Sequence, residues 1–202
     1  MIQKLMRSVV TAGLLGTILI VTGCGKSGAA RATDLINQGL AAQSAGKLDE
    51  AAANFQDATR ADPNNKFAFY DYGVVAQQQG RMQDAEFAYR IALQKDPTFS
   101  QALFNVATIR YAAGSTAEAI DLYRQAIVAD PKFAAAYLNL GFALQSIGQT
   151  AEGTADINQA IALDPTLSSR VGQPAIPSGT PTSIGTPSAG GLGTPAVPSA
   201  TP

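Results

Sequence analysis

The sequence predicts an all-α fold: a solenoid of four tandem 34-residue helix-turn-helix repeats, followed by a disordered tail rich in Pro, Gly, Ser and Thr. Three observations predict it. Four Asp-Pro pairs, Asp62-Pro63, Asp96-Pro97, Asp130-Pro131 and Asp164-Pro165, recur every 34 residues without an insertion, and a strict period of that length marks stacked copies of one helical unit. Further columns keep the same step: Gly39, Gly73, Ala107 and Gly141; Gly46, Gly80, Gly114 and Gly148; Phe55, Tyr89, Tyr123 and Ile157; Ala58, Ala92, Ala126 and Ala160. Within each period, two apolar helix faces are separated by a glycine.

The N-terminal segment, residues 1–23, reads as a signal peptide. Lys4 and Arg7 make it positive, and Ser8 to Val21 is apolar and uncharged, too short to span a bilayer comfortably. It closes on Val21-Thr22-Gly23-Cys24, which resembles a bacterial lipobox. That resemblance implies a lipoprotein carrying lipid on Cys24, the chain's only cysteine. Residues 24–31 form a tether to a first helix expected near Ala32, eight residues that reach ~28 Å at most. Gly25 beside the cysteine permits sorting to an outer membrane in a diderm bacterium.

Repeats occupy residues 32–65, 66–99, 100–133 and 134–167. In the second, a helix from about Lys66 to Gln79 presents Phe69, Tyr72, Gly73 and Ala76 on one face. Gly80 ends it. A second helix from about Met82 to Lys95 presents Ala85, Ala88, Tyr89 and Ala92, and Pro97 stops it. The small residues predict close helix approach. Neither helix pair buries its apolar face alone, so neighbouring repeats supply the core. Gly153 replaces an alanine in the last second helix, an expected loss of about 1 kcal/mol. After Pro165 no further helical period follows, which predicts an uncapped end exposing groups near Ala143, Ile147 and Ile161.

Residues 168–202 form the tail. No charge follows Arg170, and seven of the 11 prolines of the chain fall there. Such a composition cannot bury enough apolar surface to offset its ordering entropy. Three Gly-Thr-Pro triplets lack the lysine and following helix of a phosphate loop.

Composition narrows the function. The chain has no histidine and one cysteine, assigned to lipid, which removes Ser-His and Cys-His dyads and the commoner zinc sites. The carboxylates fall on solvated faces and before prolines. Without Lys4 and Arg7, 12 basic residues face 15 acidic ones and no basic block remains, which disfavours nucleic acid. No enzyme, cofactor or metal is expected.

The repeat columns, Phe69, Tyr72-Gly73, Gly80, Ala85, Tyr89, Ala92 and Asp96-Pro97 in repeat 2, resemble the tetratricopeptide repeat family over residues 32–167. The resemblance implies a right-handed superhelix whose first helices line a concave, peptide-binding groove. Positions on that surface are Ile36, Asn37, Leu40 and Gln43, then Phe67, Tyr70, Asp71, Val74 and Gln77. Gln101, Phe104, Asn105, Thr108 and Tyr111 follow, then Leu138, Asn139, Phe142 and Gln145. Asn37, Asn105 and Asn139 share one column with Asp71; such amides either contact a peptide backbone or hydrate the surface. Phe104 and Tyr111 are expected to face the groove and not the interhelical core. Some members of the family grip a terminal carboxylate with cations. The corresponding positions here, Ile36, Leu40, Asp71, Gln101 and Asn105, or Tyr70, Val74, Asn105, Ala135 and Asn139, carry none.

The resulting expectation is an exported, membrane-anchored scaffold that binds a protein or peptide partner in its groove. The alternative is an assembly protein of the cell envelope that self-associates through its C-terminal repeat.

Overall fold

The computed structural model describes residues 27–171. Eight α-helices fill that span: α1 (Gly28–Ser44), α2 (Leu48–Ala61), α3 (Lys66–Gln78), α4 (Met82–Lys95), α5 (Ser100–Ala112), α6 (Thr116–Ala129), α7 (Ala134–Ser146) and α8 (Thr150–Leu163). A 3-10 turn, Pro165–Arg170, follows. Each odd helix packs on the even helix after it, and each even helix packs on the next repeat. The four-repeat all-α solenoid is therefore observed.

Both punctuation columns have local causes. Gly46, Gly80, Gly114 and Gly148 adopt φ between 73° and 84°, the left-handed region that ends a helix. The residue after each glycine donates back to the closing helix, as Arg81 N does to Ala76 O at 2.8 Å. At the other boundary, Asp62, Asp96, Asp130 and Asp164 leave the helix in extended conformation, which the following proline requires. Each carboxylate then accepts from the backbone N–H two residues on, at 2.9 to 3.0 Å. The aspartate thus supplies the turn and the proline prevents the helix from continuing.

Close approach sets the helix pairing. A Cβ at Gly73 would lie 2.7 Å from Tyr89 Cε1, and one at Gly39 2.6 Å from Phe55 Cε1. Repeat 4 is built differently. Ile157 replaces the aromatic ring, and the Gly141 and Gly153 backbones close on each other directly. A Cβ on Gly141 would meet Gly153 O at 2.6 Å, and one on Gly153 would meet Gly141 O at 2.5 Å. Gly153 is therefore a packing requirement, which corrects the expectation that it simply weakens its helix.

Both ends also differ from expectation. Helix α1 starts at Gly28, not near Ala32, with the Ser27 hydroxyl accepting from Ala30 N at 3.2 Å. Four residue steps, ~14 Å at most, then lead from Cys24 to the first helix. At the C-terminal end the 3-10 turn lays Leu167, 8% exposed, into a cluster with Leu138, Ile157 and Ala160. A short cap thus covers much of the last helix pair. Ala143 is fully buried and Ile161 half-buried, while Ile147 stays 50% exposed. The signal segment, Cys24 and the tail beyond 171 lie outside the described residues.

Helix propensity alone makes Gly153→Ala stabilising by about 1 kcal/mol. The structure reverses the sign: an added methyl forces α7 and α8 apart, at a cost of about 1–3 kcal/mol. Urea denaturation of the variant decides between them, and an unchanged or raised midpoint would contradict the backbone contact.

Candidate functional site

The first helices stand side by side, α1 against α3 and α5 against α7. Side chains tie this face together: Gln43 Nε2 donates to Gln78 Oε1 at 3.1 Å, and Asn105 Nδ2 donates to the Tyr70 hydroxyl at 3.4 Å.

The groove positions separate by burial. Phe104 is 6% exposed, its ring 5.7 Å from Tyr123 and 5.0 Å from Phe133. It belongs to the core, so the expectation that it faces the groove is corrected. Leu138 is likewise fully buried, against Ile157 and Leu167. Asn139, 6% exposed, donates to the Tyr123 hydroxyl at 3.4 Å, which commits its amide to the interior. Thr108 stays half-buried; its hydroxyl donates to Phe104 O at 2.9 Å and lies 3.1 Å from that same Tyr123 hydroxyl. Tyr111 is half-buried against the Phe104–Tyr123 cluster. Phe142 is half-buried against the Leu138 cluster, and Gln101 accepts from the Ser100 hydroxyl at 3.1 Å. Tyr70, Asp71, Val74 and Asn105 are half-buried. Phe67 beside them is 47% exposed, edge-on to Phe99 at 5.6 Å. The exposed positions are therefore fewer than the sequence suggested: Asn37 on α1 and Phe67 on α3, the others being half-buried or buried.

Two tyrosines explain the amide column. Tyr89 and Tyr123 are buried, and a buried phenol needs a polar partner. Tyr123 accepts from Asn139, 16 residues on, and Tyr89 donates to Gln77 Oε1 at 2.9 Å, while Asn105, again 16 residues on, donates to Tyr70. Burial pushes the Tyr123 hydroxyl up to about 12 and raises Tyr89 as well. The sequence reading missed that these amides serve tyrosine hydroxyls. The same step from Phe55 reaches Asp71. Phenylalanine has no hydroxyl, and Asp71 has no hydrogen bond or ion pair among the described residues. Burial raises its carboxyl from 3.8 to about 7. The facing ionisable groups are Tyr70, pushed up to about 12 chiefly by burial, and Tyr89. At the same column, α1 and α5 present the amides Asn37 and Asn105.

Several charges elsewhere are paired. Lys66 contacts Asp96 at 2.5 Å, which with two Thr98 hydrogen bonds holds the Asp96 carboxyl down at about 2. Arg90 joins Glu118 at 2.9 Å, and Arg124 joins Glu152 one repeat later at 2.8 Å. Among the described residues no cluster of three or more His, Cys, Asp or Glu could hold a metal ion. No described helix is long and apolar enough to cross a membrane.

The geometry defines a helical-repeat protein whose first helices stand side by side. Models of the tetratricopeptide repeat match residues 36–98 and 134–167, and a TPR repeat model matches 107–148. The array is a tetratricopeptide-repeat array. No functionally curated protein matches the chain in sequence. Similar solved structures include MamA, 20% identical over 68% of this chain and 81% of that one, with a TM-score of 0.61. PilF of Pseudomonas aeruginosa is 22% identical over 69% of this chain and 64% of that one, TM-score 0.62. The first TPR of Spaghetti (RPAP3), bound to the HSP90 peptide SRMEEVD, is 21% identical over 59% of this chain and 95% of that one, TM-score 0.57. At these identities the likeness establishes the fold.

Asp71 makes stability depend on pH. The folded chain holds this proton more tightly than the unfolded chain, so its ionisation lowers stability as pH rises from about 4 to about 7, with no further change above. Asp96 acts oppositely and lower: its stabilisation is present above 3.8 and lost as pH falls towards about 2. Asp71→Asn is therefore expected to raise the melting temperature at pH 8 clearly more than at pH 5. An equal shift at both pH values would exclude a strained carboxylate.

Proposed function

We propose that this protein is an exported, lipid-anchored scaffold of the bacterial cell envelope that holds a segment of another protein in the groove of its tetratricopeptide repeats, without catalysis. One observation carries the reading: the α3–α5 face leaves Phe67 half exposed and Asp71 unpartnered, while the surrounding polar groups are satisfied within the fold. A face whose remaining hydrogen-bonding and apolar capacity is directed outward is suited to a ligand. The peptide held by the first TPR of Spaghetti supports this use of the fold. The lack of histidine and of a free cysteine dyad supports a non-enzymatic role.

The anchor rests on Val21-Thr22-Gly23-Cys24 and on the apolar segment before it. With α1 starting at Gly28, the groove would be held close to the membrane surface rather than on a long stalk. A second reading, self-association through the C-terminal repeat, is favoured by Ile147 and Val171, 50% and 45% exposed near that end.

A photo-crosslinking residue at Val74 is expected to capture a distinct protein in native membranes, while one at Phe87, 69% exposed on α4, is not. Crosslinks to copies of this chain alone, formed from Ile147, would replace the scaffold by the self-assembly reading. For the anchor, Cys24→Ala is expected to abolish labelling by a palmitate analogue and leave uncleaved precursor. Persistent labelling of that variant would remove the lipoprotein assignment.

A further inference from the structure

We propose that the groove takes a segment bearing a lysine or arginine, whose cation pairs with the Asp71 carboxylate. The inference rests on the groove-binding reading above and specifies the chemistry of the partner. Three observations carry it. First, Asp71 is the only charged side chain among the groove positions of the four first helices, and it stands where the other repeats carry Asn37, Asn105 and Asn139. Second, it has no internal duty. Asn139 serves Tyr123 and Asn105 serves Tyr70, each through a hydroxyl, whereas Asp71 has no such partner and the residue 16 before it is Phe55. Third, its carboxylate keeps some access to solvent. The side-chain atoms sealed without a partner among the described residues are Gln79 Oε1 and Arg110 Nε, so the unpartnered Asp71 oxygens are not sealed.

Nearby cations are already engaged. Lys66 pairs with Asp96, Arg110 with Glu86, and Arg90 with Glu86 and Glu118. Residues 171–202 cannot supply one, since no lysine or arginine follows Arg170. A carboxylate part-way out of water and without a counter-charge destabilises the free protein. An incoming ammonium or guanidinium relieves that cost and adds a charge-assisted hydrogen bond. An asparagine would fill the same space at no such cost, yet the chain carries the acid. Phe67 and Val74 flank it on α3, so the occupant presents apolar side chains on either side of its cation.

A random dodecapeptide library displayed on phage tests this against the full chain, held in mild detergent at pH 8, and against its Asp71→Asn variant. At this pH Asp71 is ionised, while Tyr70 and Tyr89 stay neutral. Wild-type binders are expected to be enriched in lysine or arginine at one position, and the variant is expected to select peptides without that enrichment. Replacing the basic residue of a selected peptide by norleucine is expected to weaken wild-type binding about tenfold and to leave binding to the variant unchanged. Binders without a basic position, or the same enrichment with Asp71→Asn, overturn this inference and leave groove binding standing. If neither chain selects any peptide, groove binding falls and the inference with it.

Discussion

Every repeat depends on how closely its two helices can approach. A small residue on the first helix meets a ring from the second, Gly39 against Phe55 and Gly73 against Tyr89. Nothing larger fits there without moving an aromatic side chain that is fully buried. The ring then fills the space beneath the next repeat, so one contact fixes the pairing within a unit and supplies the core between units. Repeat 4 meets the same constraint without a ring by bringing two glycine backbones together. Its apolar filling comes from Ile157, with Leu167 folded in from the 3-10 turn. The terminal repeat has no successor, so the chain caps it locally.

Filling the crossing with tyrosine rather than phenylalanine has a polar consequence. The hydroxyls of Tyr89 and Tyr123 reach the first-helix face, where Gln77, Thr108 and Asn139 receive them. The groove floor and the core are thereby one hydrogen-bonded structure. Its amides act mainly as supports and less as free contacts, because an unsatisfied buried phenol would cost more than the bond returns. Repeat 1 lacks the hydroxyl, and the register leaves Asp71 without an internal partner.

The fold was legible because its signals are backbone requirements that recur. Left-handed glycines at 46, 80, 114 and 148 and the Asp-Pro turns permit few substitutions, so the period survives in plain text. Helices α3 and α4 fall within a residue of the positions read from the sequence. The site was only partly legible. Helical spacing assigns a side chain to a face, but it does not measure how far the neighbouring helix overlaps that face. Phe104 and Leu138 fall at groove spacing in the sequence and are nonetheless core residues, packed on Phe133 and Tyr123 in one case and on Ile157 and Leu167 in the other. The 3-10 cap was hidden because six residues carry no helical period. Gly153 was misread because propensity describes an isolated helix, whereas its carbonyl lies against a second backbone.

A solenoid can also confine a local cost. Repeats contact only their neighbours, so an unfavourable group weakens its own unit and two interfaces, not a shared core. Asp71 lies in the second repeat, where both interfaces exist and where Lys66–Asp96 and the Arg90–Glu118 pair tie α3 and α4 to their surroundings. Each partly exposed ion pair contributes little alone, roughly 0–1 kcal/mol, but they hold the unit that carries the strained acid. The same carboxylate in repeat 4 would sit on a unit secured by a six-residue turn. An unpaired charge is thus best tolerated in an interior repeat. That repeat also stands between α1 on one side and α5 on the other.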